Sequence, residues 1–142
     1  MARASHKGQP ASILVVDDDE PLRKLIELRL IDSDFECHSC GSAAEALALL
    51  EAQEPDLMVL DFRLRGSDGP TLYQAIREQG YKGPVLFLTA LDRADAGLRR
   101  IERLPGLTSL MLKPFDPEKL VERVARLLAL DAAAPHCEPR ID

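Results

Sequence analysis

Apolar residues in this chain fall into two alternating patterns. Short continuous runs, SILVVD (12–17), DLMVLD (56–61) and GPVLFLT (83–89), are separated by stretches with helical periodicity. Two further short segments, FECHS (35–39) and TSLMLK (108–113), join the first kind. Short apolar runs rich in Val and Ile predict strands buried on both faces. Between them, LRKLIELRLI (22–31) places Leu22, Leu25, Ile26 and Leu30 at helical spacing, behind Pro21 in a position the first turn tolerates. GSAAEALALLEAQ (41–53) carries Ser42 and Glu45 in capping-box register. The loop FRLRGSDGP (62–70), with Asp68 as turn and cap, leads to the helix TLYQAIREQG (71–80). DRADAGLRRIERL (92–104) predicts a helix capped by Asp92, with Ala94, Leu98, Ile101 and Leu104 facing inward. DPEKLVERVARLLAL (116–130) predicts a last helix, with Asp116 as N-cap and Pro117 at its first position.

Strand and helix thus alternate five times. Apolar strands interleaved with helices imply an α/β fold with a parallel sheet covered on both faces. A chain of 142 residues fits one such domain, expected over 12–130, with flexible tails at 1–11 and 131–142, the second a possible linker start. About a dozen residues after Leu130 are too few for a DNA-binding or catalytic output domain, so output through protein contact or phosphate relay is expected unless the chain is a fragment.

Composition narrows the classes. Apolar residues make up 46% and charged residues 30%, an ordinary globular profile. A net charge of -6 argues against direct nucleic-acid binding, which needs a basic surface. No apolar run approaches the roughly 20 residues of a membrane span, and no apolar stretch precedes Ile13 to form a secretory signal. A cytoplasmic protein without membrane contact is expected. Of the three cysteines, Cys37 and Cys40 form CHSC, which has redox or metal spacing. A zinc site would need a second ligand pair, and only His38, His136 and Cys137 are on offer; packed thiols are the simpler reading.

Chemistry collects where the strands end. In open parallel sheets, ligands bind beyond the carboxyl ends of the strands. There the first strand brings Asp17, Asp18 and Asp19, the third Asp61, the fourth Thr89 and the fifth Lys113. Like charges 4 Å apart repel by about 4 kcal/mol near a protein surface. A hard divalent cation offsets this, and Mg²⁺ suits one or two carboxylates with a phosphate completing its shell. No calcium loop and no glycine-rich phosphate cradle is visible. Asp61 is the candidate nucleophile, because a carboxylate can take a phosphoryl group as an acyl phosphate. Lys113 supplies countercharge, Thr89 a hydroxyl donor, and Asp19 a solvated start to the first helix.

VVDDD, LDFRLRGSDG, LFLTA and KPF, standing in that order, resemble the receiver domain of two-component response regulators over roughly residues 12–130. The resemblance implies a flavodoxin-like (βα)5 three-layer sandwich with strand order 2-1-3-4-5. It implies that Asp61 accepts phosphate from a sensor histidine kinase or histidine phosphotransfer protein. It implies that Asp18, Asp61 and the backbone carbonyl of Arg63 bind Mg²⁺, with Asp17 acting through water, that Thr89 and Lys113 bind the phosphoryl group, and that the Lys113–Pro114 bond is cis. Such a module catalyses only its own phosphorylation and dephosphorylation, and is not an enzyme on a metabolite.

Several positions depart from the family pattern. Arg65 stands where the loop usually has proline, which predicts a more mobile loop. Leu110 stands where Tyr, Phe or His usually couples to the Thr, which predicts a weaker or rerouted switch. Arg63 and Leu91, two positions after Asp61 and Thr89, predict slow self-dephosphorylation. Leu28 and Ile31 lie off the main apolar stripe of the first helix, either as ordinary exposed residues or as docking contacts. Arg93, Arg99, Arg100 and Arg103 form a solvated face or a pairing surface for a homodimer. Two alternatives remain at this point. One is an aspartyl-phosphate-forming hydrolase of haloacid dehalogenase type, which needs a second acid where Arg63 stands. The other is a non-phosphorylated receiver-like scaffold.

Overall fold

The computed structural model describes residues 9–90 and 106–133. The chain runs β1 (Ser12–Val16), α1 (Glu20–Asp32), β2 (Glu36–Cys40), α2 (Ala43–Ala52), β3 (Leu57–Asp61), β4 (Arg63–Leu64), β5 (Ser67–Asp68), α3 (Gly69–Glu78), β6 (Val85–Ala90), β7 (Thr108–Lys113) and α4 (Pro117–Ala133). Strands β2-β1-β3-β6-β7 form one parallel sheet, which is the order 2-1-3-4-5 counted along that sheet. The expected helix over 92–104, its four arginines, Leu91 and Cys137 lie outside the described residues.

Strand parity builds two cores. Ile13, Val15, Leu57, Val59, Leu86 and Leu88 face one layer, where Ile26 and Leu30 of α1 and Leu120, Val121, Val124 and Leu127 of α4 cover them. Leu14, Val16, Met58, Leu60, Val85 and Phe87 face the other, under Ala46 and Leu50 of α2 and Leu72, Tyr73 and Ile76 of α3. A strand's side chains alternate between faces, so every inner-strand residue meets a helix and polar residues are driven to the strand ends.

The helix starts follow their capping chemistry. Asp19 accepts the Leu22 N–H at α1, and Asp68 accepts the Thr71 N–H at α3. At α2, Ser42 Oγ accepts the Glu45 N–H while the Glu45 carboxylate reaches back to the Gly41 N–H, one residue earlier than in the simplest box. Asp116 Oδ1 accepts the Glu118 N–H at the start of α4. Helix α4 runs to Ala133, three residues past the expected end, through two alanines that favour helix.

Two expectations need correction. Leu25, placed on the inner stripe of the first helix, is 40% exposed, and Ile26 and Leu30 carry the contact. Apolar residues spread around this helix, so periodicity alone does not choose its face. The loop bearing Arg65 is not irregular: β4 and β5 pair as an antiparallel hairpin, with Arg65 and Gly66 at the turn and Leu64 buried. Gly66 has φ of 76°, which this turn needs and glycine adopts freely. The packed-thiol reading of CHSC agrees with the structure: Cys37 packs in the first core and Cys40 in the second, so the pair cannot act as one site.

Candidate phosphoacceptor site

The C-terminal ends of β1, β3, β6 and β7 meet at one rim of the sheet. Asp17 follows β1 and is fully buried; Asp61 closes β3 and is also buried. Asp18, beside Asp17, is half-buried. Carboxylate oxygens of Asp17, Asp18 and Asp61 all lie within 4.8 Å of one another. Lys113, at the end of β7, brings its Nζ to 3.2 Å from Asp61 Oδ1 and 3.4 Å from Asp17 Oδ2. Thr89, at the end of β6, is buried, and its Oγ1 donates to the Ala90 carbonyl at 3.2 Å. An open cleft of about 490 Å³ is lined by Asp18, Asp61, Arg63, Arg65, Thr89 and Lys113, among others.

Electrostatics explain why these groups need one another. Burial pushes the Asp61 carboxyl up to about 6, and the Asp17 charge adds to the rise, against the pull of Lys113 and the Arg63 backbone N–H. Burial alone would lower the Lys113 ammonium, but the Asp61 and Asp17 carboxylates carry it above its ordinary value. The centre therefore holds three acids against one ammonium, and its donors are all hard oxygens. That set fits a hard divalent cation such as Mg²⁺, which would be held by Asp17, Asp18 and Asp61.

The structure brings together every side chain the sequence singled out for chemistry: Asp17, Asp18, Asp61, Thr89 and Lys113. The Lys113–Pro114 bond is cis. Asp19 caps α1, and its N–H donates to Asp17 Oδ1 at 2.9 Å. Sequence reasoning missed Gly69. A Cβ there would lie 2.7 Å from the Asp61 carbonyl oxygen, so only glycine lets α3 start this close to β3. Its N–H also donates to the Phe62 carbonyl at 2.8 Å. The D-G pair at 68–69 was readable as a turn, but its distance to Asp61 was not.

A parallel five-stranded sheet with an acidic centre, a threonine and a lysine on one rim defines a receiver-type signalling module. The chain belongs to the response regulator receiver domain family, whose profile matches residues 13–125. Among curated proteins, it is 35% identical over 125 residues to the transcriptional regulatory protein TrcR of Mycobacterium tuberculosis, covering 85% of this chain and 46% of that one. It is also 35% identical over 131 residues to the alkaline phosphatase synthesis transcriptional regulatory protein PhoP of Bacillus subtilis, covering 92% and 54%. The chain spans about half the length of these relatives. A putative response regulator from Chloroflexus aurantiacus superposes with a TM-score of 0.76 at 34% identity, covering 85% of this chain and 99% of that one. The receiver domain of NtrX from Brucella abortus superposes at 0.75 with 32% identity, covering 82% and 98%. The chain is thus a phosphoacceptor receiver of two-component signalling, a class that works with histidine kinases. No helix among the described residues is long and apolar enough to cross a membrane.

Proposed function

We propose that Asp61 is the phosphoacceptor and that Asp18, Asp61 and the Arg63 carbonyl bind Mg²⁺, with Asp17 acting through water. The observation that carries this reading is the approach of Lys113 Nζ to 3.2 Å from an Asp61 carboxylate held within 4.8 Å of two more acids. A carboxylate oxygen of Asp61 attacks the phosphorus of a phosphohistidine, the P–N bond breaks, and its electron pair leaves with the imidazole. The bound cation supplies charge neutralisation for the phosphoryl oxygens. Lys113 then pairs with the acyl phosphate, and Thr89 can turn its hydroxyl from the Ala90 carbonyl to a phosphoryl oxygen.

The folded unit is the expected 12–130 extended by the last turn of α4 to Ala133, and it acts on no metabolite. A guanidinium does not give up its proton in a protein, so Arg63, two residues after Asp61, cannot serve as general acid in a hydrolase. Arg63 is exposed at the cleft, where its long side chain hinders water in line with the acyl phosphate and slows self-dephosphorylation. Output passes through changed protein contacts.

Incubation with Mg²⁺ and acetyl phosphate, read by intact mass, tests the reading. One phosphoryl group should add to the native chain and none to Asp61→Asn or to a sample held in EDTA. Phosphorylation of Asp61→Asn at the native rate would overturn it.

A further inference from the structure

Three consecutive carboxylates need a backbone that holds them in place, and a side chain outside the cleft supplies part of the hold. Arg23, on α1, turns back over the end of β1 and its Nη1 donates to the Asp17 carbonyl at 2.8 Å. The Asp17 N–H donates across the sheet to the Cys40 carbonyl at 3.1 Å. The Asp17 carboxylate uses Oδ1 on the Asp19 N–H and turns Oδ2 toward Lys113. Asp17 is therefore fixed at its N–H, its carbonyl and both carboxylate oxygens.

Gly41 makes the space. A Cβ on this residue would lie 2.9 Å from Arg23 Nη1 and 4.0 Å from the Asp17 carbonyl oxygen. Gly41 thus leaves the guanidinium room beside β1. Arg23 Nε is buried and makes no hydrogen bond among the described residues, so the fork is held there mainly through its one carbonyl contact. A lysine would bring a point charge with three rotatable donors on a shorter stem and could not reproduce the planar fork.

We propose that Arg23 is a positioning residue for the acidic centre: by binding the Asp17 carbonyl in the space left by Gly41, it holds the β1–α1 turn so that Asp17 and Asp18 face a divalent cation beside Asp61. This rests on the reading above that the centre takes Mg²⁺. Charge and positioning predict opposite signs. Removing a positive group near three acids should tighten cation binding by electrostatics alone. Loosening the turn should weaken it.

The experiment is a Mg²⁺ titration followed by backbone amide NMR on the native chain, Arg23→Ala, Arg23→Lys, Gly41→Ala and the exposed control Lys24→Ala. Arg23→Ala should weaken Mg²⁺ binding about tenfold or more, the scale seen when outer partners of metal ligands are removed. Gly41→Ala, which keeps the guanidinium but displaces it, should weaken binding in the same direction. Arg23→Lys should recover only part of the loss, and Lys24→Ala should leave binding within about twofold. A metal-free readout accompanies these: in EDTA, the Asp19 amide should exchange faster in Arg23→Ala and Gly41→Ala than in the native chain or in Lys24→Ala. Equal or tighter Mg²⁺ binding by folded Arg23→Ala, or unchanged Asp19 exchange, overturns the proposal. If Arg23→Ala does not fold, Arg23→Lys and Gly41→Ala decide by the same two measures. If the native chain shows no Mg²⁺-dependent shifts at Asp17, Asp18 or Asp61, the cation reading fails, while the exchange data still decide whether Arg23 holds the turn.

Discussion

Asp61 sits where its charge is disfavoured and useful at once. Burial and the Asp17 carboxylate raise it to about 6 in the metal-free protein, from an ordinary value of about 4. A carboxyl whose folded-state value is raised contributes stability that is fully present below its unfolded value and is lost as pH rises through its folded value. Metal-free protein should therefore lose stability between about pH 4 and pH 6 from this group. Asp61→Asn removes the charge and should stabilise the metal-free chain at pH 7.5 by about 1–3 kcal/mol, since each tenfold change in proton affinity corresponds to about 1.4 kcal/mol. Below pH 4 the gain should vanish, because native Asp61 is then protonated too. Thermal melts of both proteins in EDTA across this range measure the difference. A variant less stable than the native chain at pH 7.5 would show that the Lys113 attraction outweighs burial and repulsion.

Strand parity decides what a residue can do, as β2 illustrates. Cys37 and Cys40 are three apart, so they face opposite cores and cannot pair or share a metal. Burial pushes Cys37 up to about 12 and Cys40 to about 11, with acidic neighbours adding to the rise. Neither should react with iodoacetamide in the native protein at pH 8, and both should react once denatured, which mass spectrometry of digested samples can score. The same parity made much of the site legible in advance. Apolar runs ending in Asp17, Asp61, Thr89 and Lys113 had to place those residues on one rim once the strands were parallel. The β4–β5 hairpin was not legible, because two-residue strands leave no periodic trace, and Leu64, which anchors it, sits among polar residues. Arg23 and Gly69 were hidden for a different reason: their roles are distances between segments, which no local pattern records.

Strand β7 also carries an element-scale consequence. Leu110 pairs in register with Phe87 and packs, partly buried, against the second core. A leucine has no polar tip to exchange between core and solvent, so recruitment of Thr89 has no ring to pull inward. The aromatic contacts run elsewhere: Phe62, next to Asp61, meets Phe87 edge-on at 5.3 Å, and Phe87 meets Tyr73 of α3 at 5.4 Å. Adding beryllofluoride with Mg²⁺ should therefore shift amides of Asp61, the β4–β5 hairpin, Thr89 and α3 more than those of residues 106–112. The largest changes falling in residues 106–112 would restore the usual route and sink this one.

At the scale of the molecule, the phosphohistidine donor proposed above would have to reach the site across the surface beside it. Lys113 lines both the acidic cleft and a groove of about 370 Å³ formed with Leu22, Leu25, Pro114 and Phe115. From that groove the exposed apolar residues continue along α1 through Leu28, 65% exposed, and Ile31, 50% exposed. Leu25, Leu28 and Ile31 are three large apolar side chains exposed on one helix, and as docking contacts they would be covered by the phosphoryl donor. A helix from the donor laid against α1 would cover them and bring its histidine over Asp61. Replacing Leu28 and Ile31 together with alanine should then slow phosphotransfer from a phosphorylated kinase or phosphotransfer protein by about tenfold or more, since two partly buried anchors of roughly 1 kcal/mol each are lost. Phosphorylation by acetyl phosphate, which needs no docking, should be unchanged in the same variant. Equal loss with both donors would place the defect in the fold. No loss with either would make Leu28 and Ile31 ordinary surface residues, and the donor's footprint would have to lie elsewhere.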